Sequence, residues 1–424
     1  LKVLVVGSGG REHAIVRALD RTWSGEGQLE LICAPGNPGI ERDARCVAEV
    51  GGEDVPALVD LAVAEGVDLV AVGPEVPLVD GLVDALAAKG IKAFGPSRDA
   101  AQLEGSKIFC KEVLVASGVP TAGYEVLRTR DEALAAAAAA NYPAVFKSDG
   151  LAAGKGVIIC PDEAAALEAI DQYFTEQRFG ATDVILEEFL DGVEVSLLAI
   201  CDGERAYPLV PARDYKRIFD ADQGPNTGGM GAFSPVPELL SGQITEISAQ
   251  VHQPIIDEMK RRGAPFHGIL YAGLMLTADG VKVLEYNTRF GDPETQALLP
   301  RLTSDLTELM LASIESDGLA ELPVEFSEER AVTLTLASAG YPETSSKGDV
   351  ITGLDDISPG IEVTHAGTAR ADSGEIVTAG GRVLNVTAVS DSVPRARADA
   401  YAAAALIDFD GMQMRSDIAA GIEL

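Results

Sequence analysis

The chain has 424 residues, 47% of them hydrophobic, and a formal net charge of -33 from 66 acidic against 33 basic side chains. That length predicts roughly two to four domains, and that charge argues against nucleic acid and anionic membranes as partners, since both would be repelled. Five cysteines, scattered and never in a C-x-x-C pair, read as thiols of a reducing cytosol, and no apolar run approaches the roughly 18 residues of a membrane span. A soluble, cytoplasmic protein is expected. Only 11 of the basic residues are lysine and the acids are spread along the chain, a pattern expected of a high-salt cytosol.

Strand and helix patterns alternate from Leu1 to about Gln102. Residues 3–6, 29–34, 69–72 and 93–94 read as strands, and residues 11–19, 55–65 and 78–89 as helices. Such alternation predicts a doubly wound parallel sheet with its ligand at the strand C-terminal ends. Three of those ends carry glycine loops: Gly7-Ser8-Gly9-Gly10-Arg11-Glu12, Pro35-Gly36-Asn37-Pro38-Gly39 and Gly73-Pro74-Glu75. The first falls short of a dinucleotide fingerprint, because Glu12 stands where the third glycine belongs and the second strand ends without a ribose-binding acid. A monophosphate held on backbone N–H groups beside Arg11 is the favoured reading; a purely structural turn and a dinucleotide site remain open.

Next comes a helix over residues 107–117, stopped by Gly118 and Pro120, then a strand at 124–127, an alanine-rich helix at 131–140 and β runs at 144–147 and 156–160. Between those runs, Gly150-Leu-Ala-Ala-Gly154-Lys155-Gly156 resembles a P-loop only superficially, because it joins two strands and has Gly156 where Ser or Thr would bind Mg²⁺. A mobile hairpin flap closing over nucleotide phosphates fits better. Lys147 ends an apolar run and needs an anionic partner, either a phosphate or a local acid. A helix at 162–174 follows, then a strand at 184–187 that leads into Glu187-Glu188-Phe189-Leu190, a hinge able to pair with an adenine edge, and Glu194, placed for ribose hydroxyls.

Residues 194–210 read as β, and 220–235 as a long glycine-rich loop that includes Gly228 and Gly229. Such loops let backbone approach a substrate closely, and Asp214, Lys216 and Arg217 supply mixed charge beside this one. A helix at 244–262 precedes strands at 268–276 and 281–287. The last strand holds Glu285 and Asn287, with Arg289, Asp292 and Pro293 after it. Spaced by two, Glu285, Asn287 and Arg289 are expected on one face, which suits oxygen ligands for a metal ion with a guanidinium beyond them. Short β runs at 330–337, 348–351, 361–365 and 381–389 and a helix at 392–408 make a small β-rich closing domain. The four histidines do not cluster in sequence, and no nucleophilic triad pattern is present.

The runs GSGGREHA, APGNPG, VGPEVPLVDG, FGPS, AQLEGSK, KSDGLAAGKGV, EEFLDGVE, GPNTGGMGAFSP, YAGLM, NTRFGDPETQ and HAGT, in this order along nearly the whole chain, resemble the phosphoribosylamine–glycine ligase (glycinamide ribonucleotide synthetase) family of ATP-grasp enzymes. The resemblance implies an N-terminal domain over residues 1–102, an ATP-grasp domain over 103–323 with its flap at about 121–190, and a closing domain over 324–424. It implies that ATP phosphorylates glycine and that 5-phosphoribosylamine then displaces phosphate, in a stand-alone monomeric enzyme of purine synthesis. Glu285 and Asn287 resemble Mg²⁺ or Mn²⁺ ligands; Lys107, Lys147, Gly154, Lys155, Gly156, Glu187, Glu188, Phe189, Leu190 and Glu194 resemble ATP contacts. Gly9, Gly10, Arg11, Asn37 and Glu75 would face the ribose phosphate, with Gly228, Gly229, Asp292 and Pro293 completing the substrate site. Arg289, Asp214 and Lys216 are the catalytic candidates, for the reacting carboxylate and the glycine ammonium. Residues 268–276 lack the further metal-binding acid that many ATP-grasp enzymes carry, and Tyr215 and Thr288 stand where His and Cys are usual, changes expected to tune packing. A related ligase acting on bicarbonate and an aminoimidazole ribotide would share the metal strand and the flap. A nucleotide-binding sensor would have no need of Arg289, Asp214 and the glycine loop together.

Overall fold

The computed structural model describes residues 1–151, 156–239 and 241–424. Its N-terminal sheet is all parallel, with Arg45–Cys46, Glu30–Pro35, Lys2–Gly7, Leu69–Val72 and Lys92–Phe94 side by side in that order. Each central strand is a short apolar run buried on both faces, as a sheet covered by helices on two sides requires. Because the connections run outward from Lys2–Gly7 in both directions, its C-terminal end is a switch point in strand order, and the three glycine loops meet there.

Two antiparallel four-stranded sheets follow. One joins Tyr124–Leu127, Val184–Glu188, Ala144–Ser148 and Val157–Cys160, backed by the helices Arg130–Ala139 and Glu163–Ile170. The other joins Ala206–Pro208, Val193–Asp202, His267–Thr277 and Gly280–Asn287. A five-stranded sheet closes the molecule: Arg213–Asp214, Gly231–Ser234, Arg330–Ala337, Arg382–Ser390 and Ile361–His365. It draws strands from both sides of residue 323, so the closing sheet and the central segment share one hydrophobic core.

Local chemistry explains the elements and the departures from expectation. Helix Lys107–Ser117 starts where the Ser106 hydroxyl accepts the Phe109 N–H and stops at Gly118, in the left-handed region at φ 70°. The helix expected over 78–89 is two pieces, Glu75–Val79 and Leu82–Ala87, because Gly81 between them sits at φ 88°. The helix expected over 244–262 is likewise split, into Ser241–Val251 and Gln253–Arg261. Residues 220–235 are not one loop: Gln223–Asn226 pairs with Arg217–Phe219, and Gly231–Ser234 pairs with Arg330–Ala337, a partner about a hundred residues away. Residues 348–351 form no strand of their own, only a bridge from Val350 to Val377. Helices Arg98–Gly105, Glu294–Leu298 and Leu306–Ile314 lie between the patterns read from sequence. Among the described residues no helix is long and apolar enough to cross a membrane.

Candidate active site

The Gly280–Asn287 strand carries a bulge. Gly273 pairs with Glu285 and Leu274 with Val283, so Leu284 is an extra residue whose carbonyl accepts from Lys147 Nζ at 3.4 Å. Beyond the bulge Glu285 and Asn287 keep their spacing of two at the strand end. Arg289 does not continue that face: the strand stops at Asn287, and the turn swings its guanidinium to Glu104 at 2.8 Å and Glu75 at 3.3 Å. Thr288 donates its N–H (2.7 Å) and hydroxyl (3.2 Å) to Glu104, so this position orients the Arg289 partner as well as packing.

Around Glu285 the charges are positive. Burial pushes its carboxyl up, but Lys147, Lys216, Lys107 and Arg289 outweigh burial and hold it below the usual carboxylate range. Burial lowers Lys107, which donates to the Gly150 carbonyl at 2.8 Å. Burial also opposes the charge on Lys147, but Glu187 and Glu285 raise it above its ordinary value. The anionic partner of Lys147 in this structure is Glu187, at 3.0 Å, with Lys111 on the other oxygen at 3.3 Å. Lys216 lies between Asp214 (2.8 Å) and Glu194 (3.2 Å).

The hinge residues divide. Glu187 is buried in its lysine pair, whereas Glu188 is exposed, pairs with Lys282 at 3.1 Å and accepts the Gly123 N–H at 3.0 Å. Phe189 is 37% exposed beside buried Leu190, which leaves part of an aromatic face open. Gly156 is buried, and Gly154 and Lys155 lie outside the described residues.

At the N-terminal loops, Glu12 fills the space that a third glycine would have left. Its carboxylate takes the Gly9 N–H at 2.6 Å and the Arg11 Nε at 2.5 Å, and added Cβ atoms on Gly7 or Gly73 would collide with it. Gly9 and Arg11, expected to face a phosphate, are therefore held by Glu12, and Arg11 also donates to the Phe290 carbonyl at 3.1 Å. Asn37 is corrected more firmly. Its amide donates to Ser8 O and His365 O, and its oxygen accepts the Gly39 and Ile40 N–H groups. With both hydrogens and both lone pairs used, its side chain ties the loop to the closing domain and has nothing left for a ligand. Gly229, at φ 111°, packs so closely on Pro293 that a Cβ would lie 2.4 Å from its ring, and Glu75 pairs with Arg289.

Sequence reasoning passed over several charged groups here. Glu104 anchors Arg289, Lys111 shares Glu187, and Arg382 pairs with Asp292 at 3.0 Å. Buried Glu294 accepts from Tyr271 (2.6 Å) and Ser196 (3.2 Å), and burial, with Asp214 adding, raises its carboxyl. Glu104 and Glu294 lie inside the runs AQLEGSK and RFGDPETQ, so the motifs held the signal, whereas Arg382 lies in none.

The oxygen donors at the strand end fit a hard divalent cation. The side chains of Glu285 and Asn287 make no hydrogen bond or ion pair with a described residue, although one is a carboxylate among lysines. Two donors alone suit an ion that keeps its other positions for water and phosphate oxygens. Among the described residues no cluster of three or more His, Cys, Asp or Glu could hold a metal by itself.

Family models described as the N, ATP-grasp (A) and C domains of phosphoribosylglycinamide synthetase match residues 1–104, 105–295 and 331–421. A phosphoribosylamine–glycine ligase of Streptomyces coelicolor is 50% identical over 426 residues, covering 99% of each chain. The crystal structure of the phosphoribosylamine–glycine ligase of Thermotoga maritima superposes with a TM-score of 0.84 at 32% identity, over 99% of this chain and 100% of that one. The biotin carboxylase domain of Hydrogenobacter thermophilus 2-oxoglutarate carboxylase, solved with MgADP and bicarbonate, shares the fold at 17% identity, with a TM-score of 0.73 over 97% of this chain and 91% of that one.

Proposed function

We propose, from the premise that this chain belongs to the phosphoribosylglycinamide synthetase family, how its side chains divide the work of an ATP-grasp ligase that joins glycine to phosphoribosylamine in purine biosynthesis. The observation that carries the assignment is the pair Glu285 and Asn287, whose side chains make no hydrogen bond or ion pair with a described residue while Lys107, Lys147 and Lys216 act on Glu285. They would hold a divalent ion, Mg²⁺ or Mn²⁺, which when bound would supply positive charge to the nucleotide phosphates. Lys107 and Lys147, with Gly154, Lys155 and Gly156, hold the phosphate chain. Glu187 to Leu190 take the adenine, with Phe189 as the apolar platform, and Glu194 takes the ribose once Lys216 turns from it.

Arg289 holds the glycine carboxylate, pre-oriented by Glu104 and Glu75, and Asp214 takes the ammonium in exchange for Lys216. A carboxylate becomes open to amine attack only when one oxygen is made a leaving group. The γ-phosphoryl therefore passes to a glycine oxygen, giving glycyl phosphate and ADP, while Arg289 and Lys216 balance the charge that spreads over the transferring group. The amine of phosphoribosylamine, with its phosphate at the Gly9–Gly10 loop, on the Gly10 N–H and the Arg11 Nη2 that no described residue accepts from, then attacks the carbonyl carbon. A C–N bond forms, the C–O bond to phosphate breaks, and the amine loses a proton. The chain acts in the cytoplasm as a monomer; a sedimentation mass of twice 44.2 kDa would contradict the latter.

Isotope transfer tests the scheme. Glycine labelled with ¹⁸O in its carboxylate delivers one label to inorganic phosphate during turnover. Unlabelled phosphate would mean that ATP activates another group, and bicarbonate-dependent ADP release would point to the carboxylating relatives instead.

A further inference from the structure

The strand Arg382–Ser390 reaches the site through two side chains that regular alternation would separate. Ala337 pairs with Arg382 and Leu336 with Leu384, so Val383 is an extra residue and Arg382 and Asn385 come to lie on the same side of the strand. Arg382 Nη1 donates to Gly228 O at 2.5 Å and to Asp292 O at 2.6 Å, and its Nη2 donates to Asp292 Oδ2 at 3.0 Å. Gln296 Nε2 joins Asn385 Oδ1 (3.1 Å) to the other Asp292 oxygen (2.7 Å). Both carboxylate oxygens of Asp292 are thus fixed from the closing sheet. Asp292 Oδ2 lies 3.7 Å from where a Gly9 Cβ would stand, and a Gly10 Cβ would come within 2.4 Å of Asn385 Oδ1. The Gly9–Gly10 loop therefore has one wall made by the C-terminal strand.

We propose that Arg382 is a positioning residue for the amine substrate: its planar fork locks Asp292 and the Gly228 carbonyl against the Gly9–Gly10 loop, which makes the closing sheet part of the ribose phosphate pocket. The proposal rests on the reading that this loop takes the phosphate of phosphoribosylamine. A lysine cannot reproduce the geometry, because three bonds to three acceptors from one plane need a guanidinium. The nucleotide contacts lie on other strands, so ATP binding is independent of the fork.

Calorimetric titration of the full chain with glycinamide ribonucleotide, the stable product that keeps the ribose phosphate, and separately with MgADP tests this. In Arg382→Lys and Arg382→Gln the product binds at least tenfold more weakly while MgADP affinity stays within twofold, and in Arg382→Ala millimolar guanidinium restores product binding. Unchanged product affinity in all three variants overturns the proposal. So does equal loss of both ligands with a fallen melting temperature and no guanidinium rescue, which would make the fork a general support. A wild-type chain that binds MgADP but not the product would instead remove the substrate reading beneath it, and the proposal with it.

Discussion

The end of the Gly280–Asn287 strand, half-buried, and the junction between helix Gly10–Thr22 and strand Ile361–His365, buried, are both polar, yet they are wired in opposite ways. At the junction, His13 Nδ1 accepts the His365 N–H at 2.9 Å, so its Nε2 carries the hydrogen and donates to Asp43 at 2.8 Å. Asn37 completes the clamp on the His365 carbonyl at 2.8 Å. At the strand end, Glu285 and Asn287 have no partner among the described residues while lysines crowd round them. A polar cluster that closes on itself supports the fold; one that leaves side-chain oxygens without hydrogen bonds costs stability and is explained by what binds there.

The largest expected effect breaks the open cluster. Glu285→Gln and Asn287→Ala each lower kcat on the order of 10²–10³-fold, the scale of losing a preorganised electrostatic contact in transition-state stabilisation, while circular dichroism and melting of Asn287→Ala stay near wild type. Full activity in both variants at saturating Mg²⁺ would remove the metal assignment.

The closed cluster should answer in the other currency. Asn37→Ala strips partners from the Ser8 and His365 carbonyls and from two backbone N–H groups. It is expected to cost about 1–3 kcal/mol of stability, the range for leaving buried polar groups unpaired, with MgADP affinity unchanged. Denaturant titration measures the first and calorimetry the second; a lost nucleotide affinity without lost stability would reverse the contrast drawn between the two clusters.

A smaller effect follows from titration of the junction. Burial is the main cause that lowers His13 from 6.5 to about 4, with Arg17 and Arg42 adding and the Asp43 bond opposing. Burial likewise lowers His365, with His13 and the same arginines adding, to about 3. A depressed histidine is neutral in the folded chain and takes up its proton on unfolding. The stability it confers is therefore present above pH 6.5 and drains away as pH falls toward 4. The melting temperature should decline over that window, and His13→Asn should flatten the decline without abolishing it, since His365 and His252, also lowered to about 4 by burial, follow the same sign. Equal slopes for variant and wild type would mean that the junction does not set the acid response.

How much of this was legible in the sequence follows from how local each cause is. Helix Val55–Glu65 and strand Leu69–Val72 stand where the pattern put them, because the Asp54 cap, the left-handed Gly66 and the apolar run are all written within a few residues. The strand Gly231–Ser234 was unreadable because its ladder partner begins near residue 330. The bulge at Leu284 was equally hidden: it depends on what Gly273 and Leu274 pair with, and it turns a simple alternation into one in which Val283 and Tyr286, three apart, are both buried. At the site, Glu285 and Asn287 keep the spacing of two that the pattern gives them, whereas Arg289 leaves that face because the strand stops at Asn287 and Glu104 and Glu75 hold its guanidinium. Asn37 is a ligand contact only by the resemblance, and a polar side chain in a glycine loop gives no hint that four backbone groups already claim it.

The smallest effect sharpens the comparison by leaving both clusters alone. A net charge of -33 on 424 residues means that the folded surface repels itself, and compaction brings those charges closer than they are in the unfolded chain. Molar KCl shortens the Debye length to about 3 Å, so the melting temperature of the wild-type chain should rise from dilute to molar KCl. Buried pairs are screened far less than exposed ones. The stability difference between wild type and Asn37→Ala should therefore be nearly the same at both salt concentrations, even as both curves shift upward together. A flat wild-type melting temperature would reduce the low lysine count to mere composition. A gap that closes in molar salt would show that the junction owes its strength to exposed charge, such as the Arg17–Asp43 pair at 2.9 Å, and not to its closed hydrogen-bond network.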